Sequence, residues 1–278
     1  MAIIVVCGVL LAAGVAMAGS WGGHSFTPPP GGGELTVEET ARRFAWYAAL
    51  GLAAGVIAGV LVIGAGGRLA MRLLAVTAGD AAQGRVTEAD EIVGRISVDG
   101  TIGFILFNGI FGGIVFSGPY LILRRVLPPG RLGGAAFGLG LLVVLGTTLN
   151  PLRPENPDFD IVGPGWLAVV VFSALAIAFG LTLAAVMARL SQWLPLLAGE
   201  RRVLVRYLGP AAVAALAFPV TAALAIGCMV TIVATRFRPV VDIVRSRRWV
   251  LAGRVVTLAL VAITLPHTIS SLVDIATR

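Results

Sequence analysis

Seven times along this chain, apolar and nearly uncharged residues run on for about 20 positions, the length of helix that crosses roughly 30 Å of hydrocarbon. The runs cover 2–18, 44–66, 101–123, 132–149, 166–188, 207–235 and 250–273. Hydrocarbon offers no partner to a backbone N–H or C=O, so each run must satisfy its own groups as a helix. Composition agrees: 58% of the 278 residues are hydrophobic and 13% are charged, too little polar surface for a water-soluble globule of this size. The predicted fold is all-α, a polytopic transmembrane helix bundle of about seven spans (six to eight). Residues 1–19 read as a first apolar span, 20–43 as a Gly/Pro-rich linker, 44–200 as a four-span core, and 201–278 as a C-terminal membrane unit with a broken or re-entrant segment.

The charged residues narrow the chemistry. All 21 basic side chains are arginine. Without lysine there can be no phosphate-binding loop of the Walker type and no Schiff-base cofactor. Cys7 and Cys228 lie far apart in separate apolar runs, and His24 and His267 are equally isolated, so neither a thiolate nor a histidine metal site is expected. No cofactor is expected either. A net charge of +7 would invite nucleic acid in a soluble protein. Here the arginines flank apolar runs, which points to lipid headgroups as the partner and not to nucleic acid. The exclusive use of arginine, with abundant Ala, Gly, Val and Pro, fits a GC-rich, bacterial coding sequence.

Arginines also orient the chain, because they collect on the cytoplasmic side of short loops. Arg124, Arg125 and Arg131 stand between the third and fourth runs without an acid, which places that loop inside. Threading outward puts 20–43 and 189–206 inside, and 68–100 and 150–163 outside. The two outer loops carry eight carboxylates and five arginines, in keeping with that placement. The first run ends in Ala16-Met17-Ala18, which resembles a signal-peptidase site, but it lacks a basic leader region. An uncleaved first span in the cell membrane is expected. The linker after it, 20–43, shows no apolar periodicity and is expected to be flexible, with His24 in water.

Residues 207–235 break the pattern. As one crossing they would leave Arg236, Arg238, Arg245, Arg247, Arg248 and Arg254 outside. The run is about 43 Å long as a helix, more than one crossing and less than two, and Pro210 and Pro219 interrupt it. A re-entrant segment that returns to the cytoplasm resolves the conflict; a long tilted helix is the alternative.

Several residues are candidates for contact or chemistry. Gly51, Gly55 and Gly59 share one helical face, as do Gly109 with Gly113 and Gly134 with Gly138. Such grooves let helices approach closely, within the chain or in a self-associated pair. Asn108 is the polar residue deepest in a run; an interhelical hydrogen bond is its expected role, and lining a solute path as part of the binding site is the alternative. Arg68 and Arg72, four residues apart, could hold an anionic headgroup or solute, with Glu88, Asp90, Glu91, Asp158 or Asp160 supplying acid–base groups. The structural alternative pairs these arginines with loop acids. A short helix is expected at 87–93, capped by Thr87 with Asp90 in the capping-box position. Asn156, Asp158 and Asp160 alternate as in a calcium loop, but Ile161 and Leu167 occupy the glycine and bidentate-acid positions, so an ordered polar turn is expected. His267, Ser271 and Asp274 share a helix face, yet one straight helix supplies neither triad geometry nor an oxyanion hole. No catalytic residue is assigned. The leading expectation is a non-enzymatic membrane protein, either a transporter-like handler of a solute or lipid or an accessory membrane subunit. The alternative is a membrane-embedded enzyme acting on a lipid or isoprenoid phosphate at the outer face.

Overall fold

The computed structural model describes residues 2–29, 36–88, 90–148, 151–216, 218–237, 242–243 and 246–278. Arg238, Arg245 and Asn150 lie outside them. The chain is all-helical, at 79% helix, and the described residues contain no strand. Five helices are long and apolar enough to cross a membrane: α1 (Ala2–Trp21), α2 (Val37–Thr77), α3 (Val98–Leu123), α5 (Gly165–Trp193) and α8 (Arg247–Ala276). Three shorter helices complete the bundle: α4 (Gly130–Gly146), α6 (Arg201–Leu216) and α7 (Phe218–Arg236).

The helices begin and end where side chains can satisfy their free backbone groups. Thr36 accepts from Glu39 N–H at the start of α2, Ser97 from Gly100 N–H at α3, and Ser246 from Trp249 N–H at α8. Acids Glu38 and Glu39 sit in the first turn of α2, where the helix dipole favours them. At 41 residues α2 is about 60 Å long, so it outruns the predicted span 44–66 at both ends.

Three helices contain π-helical stretches: Gly59–Gly64 in α2, Ile105–Phe111 in α3 and Leu142–Gly146 in α4. The first two lie against each other. There the glycines bring backbones into contact. A Cβ on Gly55 or Gly59 would strike the backbone of Gly113 or Gly109, and the reverse holds. Gly134 and Gly138 meet Gly180 and Ala176 of α5 in the same way. The glycine face of α2 is thus filled by the chain's own α3.

The main core lies where α1, α2 and α5 meet. Trp46, Leu50, Val62, Leu183, Val186 and Met187 are buried there. Thr182 Oγ1 donates to Gly14 O across 3.2 Å, tying α5 to α1, and Gly14 sits directly against Leu61 and Val62 of α2.

The bundle has two distinct ends. At one, Trp46 Nε1 donates to Leu194 O (2.8 Å), and Arg124 donates to the Tyr47 hydroxyl (3.2 Å) while stacking 3.9 Å over Phe26. Burial depresses the pKa of Arg124, and the charge and hydroxyl of Tyr47 work against that shift. Arg131 donates to Gly19 O at the end of α1. Residues 22–29 are therefore not a free linker. Thr27 N–H donates to Ser191 Oγ, Gln192 donates to Ser25 O, and Phe26 packs among Trp46 and Tyr47. Residues 30–35 of the expected linker lie outside the described residues; in 22–29 the expected flexibility gives way to packing around one aromatic anchor, Phe26.

The segment 201–236 begins at this same end. Tyr207 donates to Pro195 O (2.8 Å), and both α6 and α7 pack on α2. Gly227, midway along α7, rests on Phe44 near the start of α2. Arg254 Nε of α8 then donates to Val126 O (3.1 Å), in the loop that carries Arg124 and Arg125. Within the predicted run 207–235 the described residues are helical on both sides of residue 217, as α6 and α7, and the helix after them starts from the arginine-rich end.

Candidate functional site

The opposite end of the bundle is a packed cap, built from the outer part of α2, residues 79–97, residues 151–164 and the C-terminus. Leu74, Leu142, Leu152, Phe159, Ala168 and Ile275 form its core, with Ala75, Ala82 and Val93 as a second cluster. Gly165 packs on Ile275, and Thr77 Oγ1 donates to Gly163 O (2.7 Å).

Residues 87–93 do not form the expected helix. The chain instead doubles back, with Val86 bridging Ile92 in antiparallel fashion. Thr87 N–H donates to Glu91 O and Val93 N–H to Arg85 O, both at 2.9 Å. Thr87 Oγ1 still accepts a backbone N–H, that of Glu91, but it closes a turn in which Asp90 adopts φ 57°. Gly84 and Gly94, at φ 81° and 87°, supply the left-handed positions that let the chain reverse. Apolar Val86 and Ile92 pair more favourably across a turn than along a helix that would end at Gly94.

The loop acids are spent on this architecture. Glu88 accepts from Arg153 at 2.5 and 2.7 Å, and its own N–H donates to Asp158 Oδ1 at 2.8 Å. Arg153 Nε is buried with no partner among the described residues. Asp160 takes Arg278 at 3.3 Å, and Arg278 also pairs with Asp274 at 2.8 Å. The hydrogen bond that Arg278 donates to Asp274 raises the Arg278 pKa. Asn156 Oδ1 accepts from Asp158 N–H, starting the 3₁₀ turn Pro157–Asp160. This segment thus forms the expected ordered polar turn. Among the described residues no three His, Cys, Asp or Glu side chains converge as metal ligands.

Arg68 and Arg72 lie on one face of α2 as the spacing requires, yet neither forms an ion pair among the described residues. Arg68 donates to Thr101 Oγ1 from Nε and Nη2 (3.3 and 3.2 Å) and lies 5.7 Å from the centre of the Phe104 ring. Arg72 donates to Gly94 O at 3.2 Å. Glu91 Oε1 and Arg68 Nη2 both flank Gly100, 3.1 and 3.4 Å from where a Cβ would stand. Asp158 and Asp160 are engaged elsewhere, as described. The predicted residues therefore fall into two groups, Arg68–Arg72 with Glu91 and Thr101, and Asp158–Asp160 with Glu88 and Arg278. Sequence spacing gave no sign of the Arg153–Glu88 and Arg278–Asp160 pairs, because their partners lie 65 and 118 residues apart.

Asn108 is exposed, not buried. Its place on the π-helical stretch turns it away from the Gly59–Gly109 contact. In α8 the three residues of the apparent triad also separate: Ser271 is buried, His267 is exposed, and Asp274 is bound to Arg278.

Comparisons with protein-family models, curated proteins and solved structures found no match. The assignment of function therefore rests on the molecule itself. Away from the cap, a recess of about 170 Å³ lies beside α6, lined by Leu50, Ala53, Leu190, Trp193, Arg206 and Pro210. Arg206 stacks 4.6 Å over Trp193 and donates to its carbonyl at 2.7 Å.

Proposed function

We propose that this chain is a non-enzymatic accessory subunit of a cell-membrane assembly. It crosses the bilayer six times, on α1–α5 and α8, and α6–α7 form a re-entrant hairpin from the cytoplasmic side. The arginine-rich end faces the cytoplasm and the cap faces outward. One observation carries the reading: the bundle centre is closed by backbone contact between the glycines of α2 and α3, beside an apolar core. A transporter instead places polar, broken helices around a mid-membrane site. The cap supports the same view, because its acids hold loops together and do not converge on Arg68 and Arg72.

A native gel of mildly solubilised membranes tests this. The chain should migrate in a stoichiometric species larger than its own 28.6 kDa. In nanodiscs containing a polyprenyl phosphate, the purified chain should release phosphate no faster than the lipid alone. Release that disappears in Arg68→Gln would establish the enzymatic alternative.

The recess beside Arg206 favours a second reading, the holding of an anionic lipid of the cytoplasmic leaflet. Its volume is close to that of a roughly 150 Å³ apolar cavity able to take one benzene ring, enough for a short length of acyl chain. Native mass spectrometry of Arg206→Gln would then show fewer retained phosphatidylglycerol molecules than the parent chain.

A further inference from the structure

At the arginine-rich end, four helices surround a second, smaller recess of about 40 Å³, room for about three waters. His24 follows the end of α1, Tyr120 stands in the last turn of α3, and Gly130 and Arg131 open α4, while Ala185 and Ala188 of α5 form the apolar side. The polar groups here are donors that lack acceptors. The Tyr120 hydroxyl and the His24 ring make no hydrogen bond among the described residues. Arg131 gives Nη2 to Gly19 O, and its Nε and Nη1 have no partner among those residues. Gly22 lets this guanidinium lie across the end of α1, for a Cβ there would stand 2.6 Å from Arg131 Nε. Pro129 supplies α4 with no side-chain cap, so the first N–H groups of that helix also await an acceptor. No carboxylate lines the recess, and the loop 124–131 holds three arginines and no acid.

We infer that this recess binds one phosphate group. Donors reach it from three elements, the end of α1, α3 and α4. A tetrahedral oxyanion has an oxygen for each of them, whereas a carboxylate has only two, in one plane. An arginine fork binds phosphate through paired N–H bonds, and a helix N-terminus adds backbone donors and a favourable dipole. A tyrosine hydroxyl and a histidine ring each have a proton to donate, the histidine in either charge state. Water could fill the same space, but it would leave Arg131 without a counter-charge. Arg124, whose N–H donates to Tyr120 O at 2.8 Å, adds a second positive charge one turn away. Two sources bring this group to a bundle end at a membrane surface: a phospholipid headgroup, and a free phosphate or phosphate ester. Both would meet the same donors. The site stands apart from the subunit reading, and it shares no residue with the recess beside Arg206.

The test uses the full chain in a phosphate-free maltoside detergent, in an Arg206→Gln background so that lipid held beside α6 is not counted. Native mass spectrometry follows retention of phosphatidic acid against diacylglycerol, the same lipid without its phosphate. Equilibrium dialysis follows radiolabelled inorganic phosphate. At least one arm should show a single saturable equivalent: retained phosphatidic acid that inorganic phosphate does not displace identifies a headgroup, and bound inorganic phosphate identifies the free ion. Arg131→Gln should weaken that binding about tenfold or more, the loss of a charged hydrogen-bond donor. Tyr120→Phe should weaken it about threefold to tenfold. The second substitution removes only the hydroxyl and keeps the ring against Phe137, so it remains decisive if Arg131→Gln fails to fold. Two results overturn the site. One is retention of phosphatidic acid no greater than that of diacylglycerol, together with no bound phosphate. The other is binding at the parental level in either variant whose helix content is intact.

Discussion

Gly59 and Gly113 have no room for a methyl group. Each faces a carbonyl of the other helix so closely that a Cβ must push α2 and α3 apart. Gly59→Ala and Gly113→Ala should each cost about 1–3 kcal/mol, the usual range for overpacking a tight contact. Gly8→Ala and Gly140→Ala, whose Cβ atoms would meet nothing, should instead stabilise by up to about 1 kcal/mol through helix propensity. Denaturant unfolding in a fixed micelle reads the difference. The contact was legible in the sequence, because glycine at four-residue spacing marks a helix groove. Trp46 was legible only in part. It suggests a membrane-interface residue, but it is 1% exposed and donates to Leu194 O. Trp46→Phe should cost about 1 kcal/mol for the lost bond, and Trp46→Ala about 3–5 kcal/mol for the cavity as well, in the same unfolding assay. Hydropathy marks depth along a helix and says little about direction around it. That is why Trp46 turned out inside and Asn108 outside.

At the scale of elements, the runs found by hydropathy correspond to helices, and the differences lie at their ends and breaks. α2 continues as helix past Arg68 because Arg72 finds a carbonyl in the loop, Gly94 O, that no local pattern announces. The helix expected at 87–93 became a hairpin because the pairing of Val86 with Ile92 and the left-handed glycines outweighed a capping pattern. The proposed return of 207–235 to the side it started from was suggested by its length and prolines, whereas the Arg254–Val126 contact that supports it joins distant segments. Impermeant maleimide should therefore reach Glu200→Cys and Asp242→Cys from the same side of sealed vesicles, and Glu155→Cys from the other side. Labelling of the first two from opposite faces would replace the re-entrant hairpin with a tilted span.

At the scale of the whole molecule, the cap depends on many weak, exposed links. Arg153–Glu88 and Arg278–Asp160 join segments far apart in sequence, yet ion pairs so open to solvent contribute about 0.2–1 kcal/mol each. Glu88→Gln should leave global unfolding within about 1 kcal/mol of the parent while speeding amide exchange in residues 85–93. Exchange that stays at parental rates there would mean that the apolar cluster of Ala75, Ala82 and Val93 holds the hairpin alone. α2 has a different consequence. It is pinned at Trp46 and held again at Arg72, with one unbroken helical backbone between the two. Such a rod makes the two ends of the bundle mechanically a single body: a load that leans on the cap must also tilt the aromatic cluster around Trp46 at the far end.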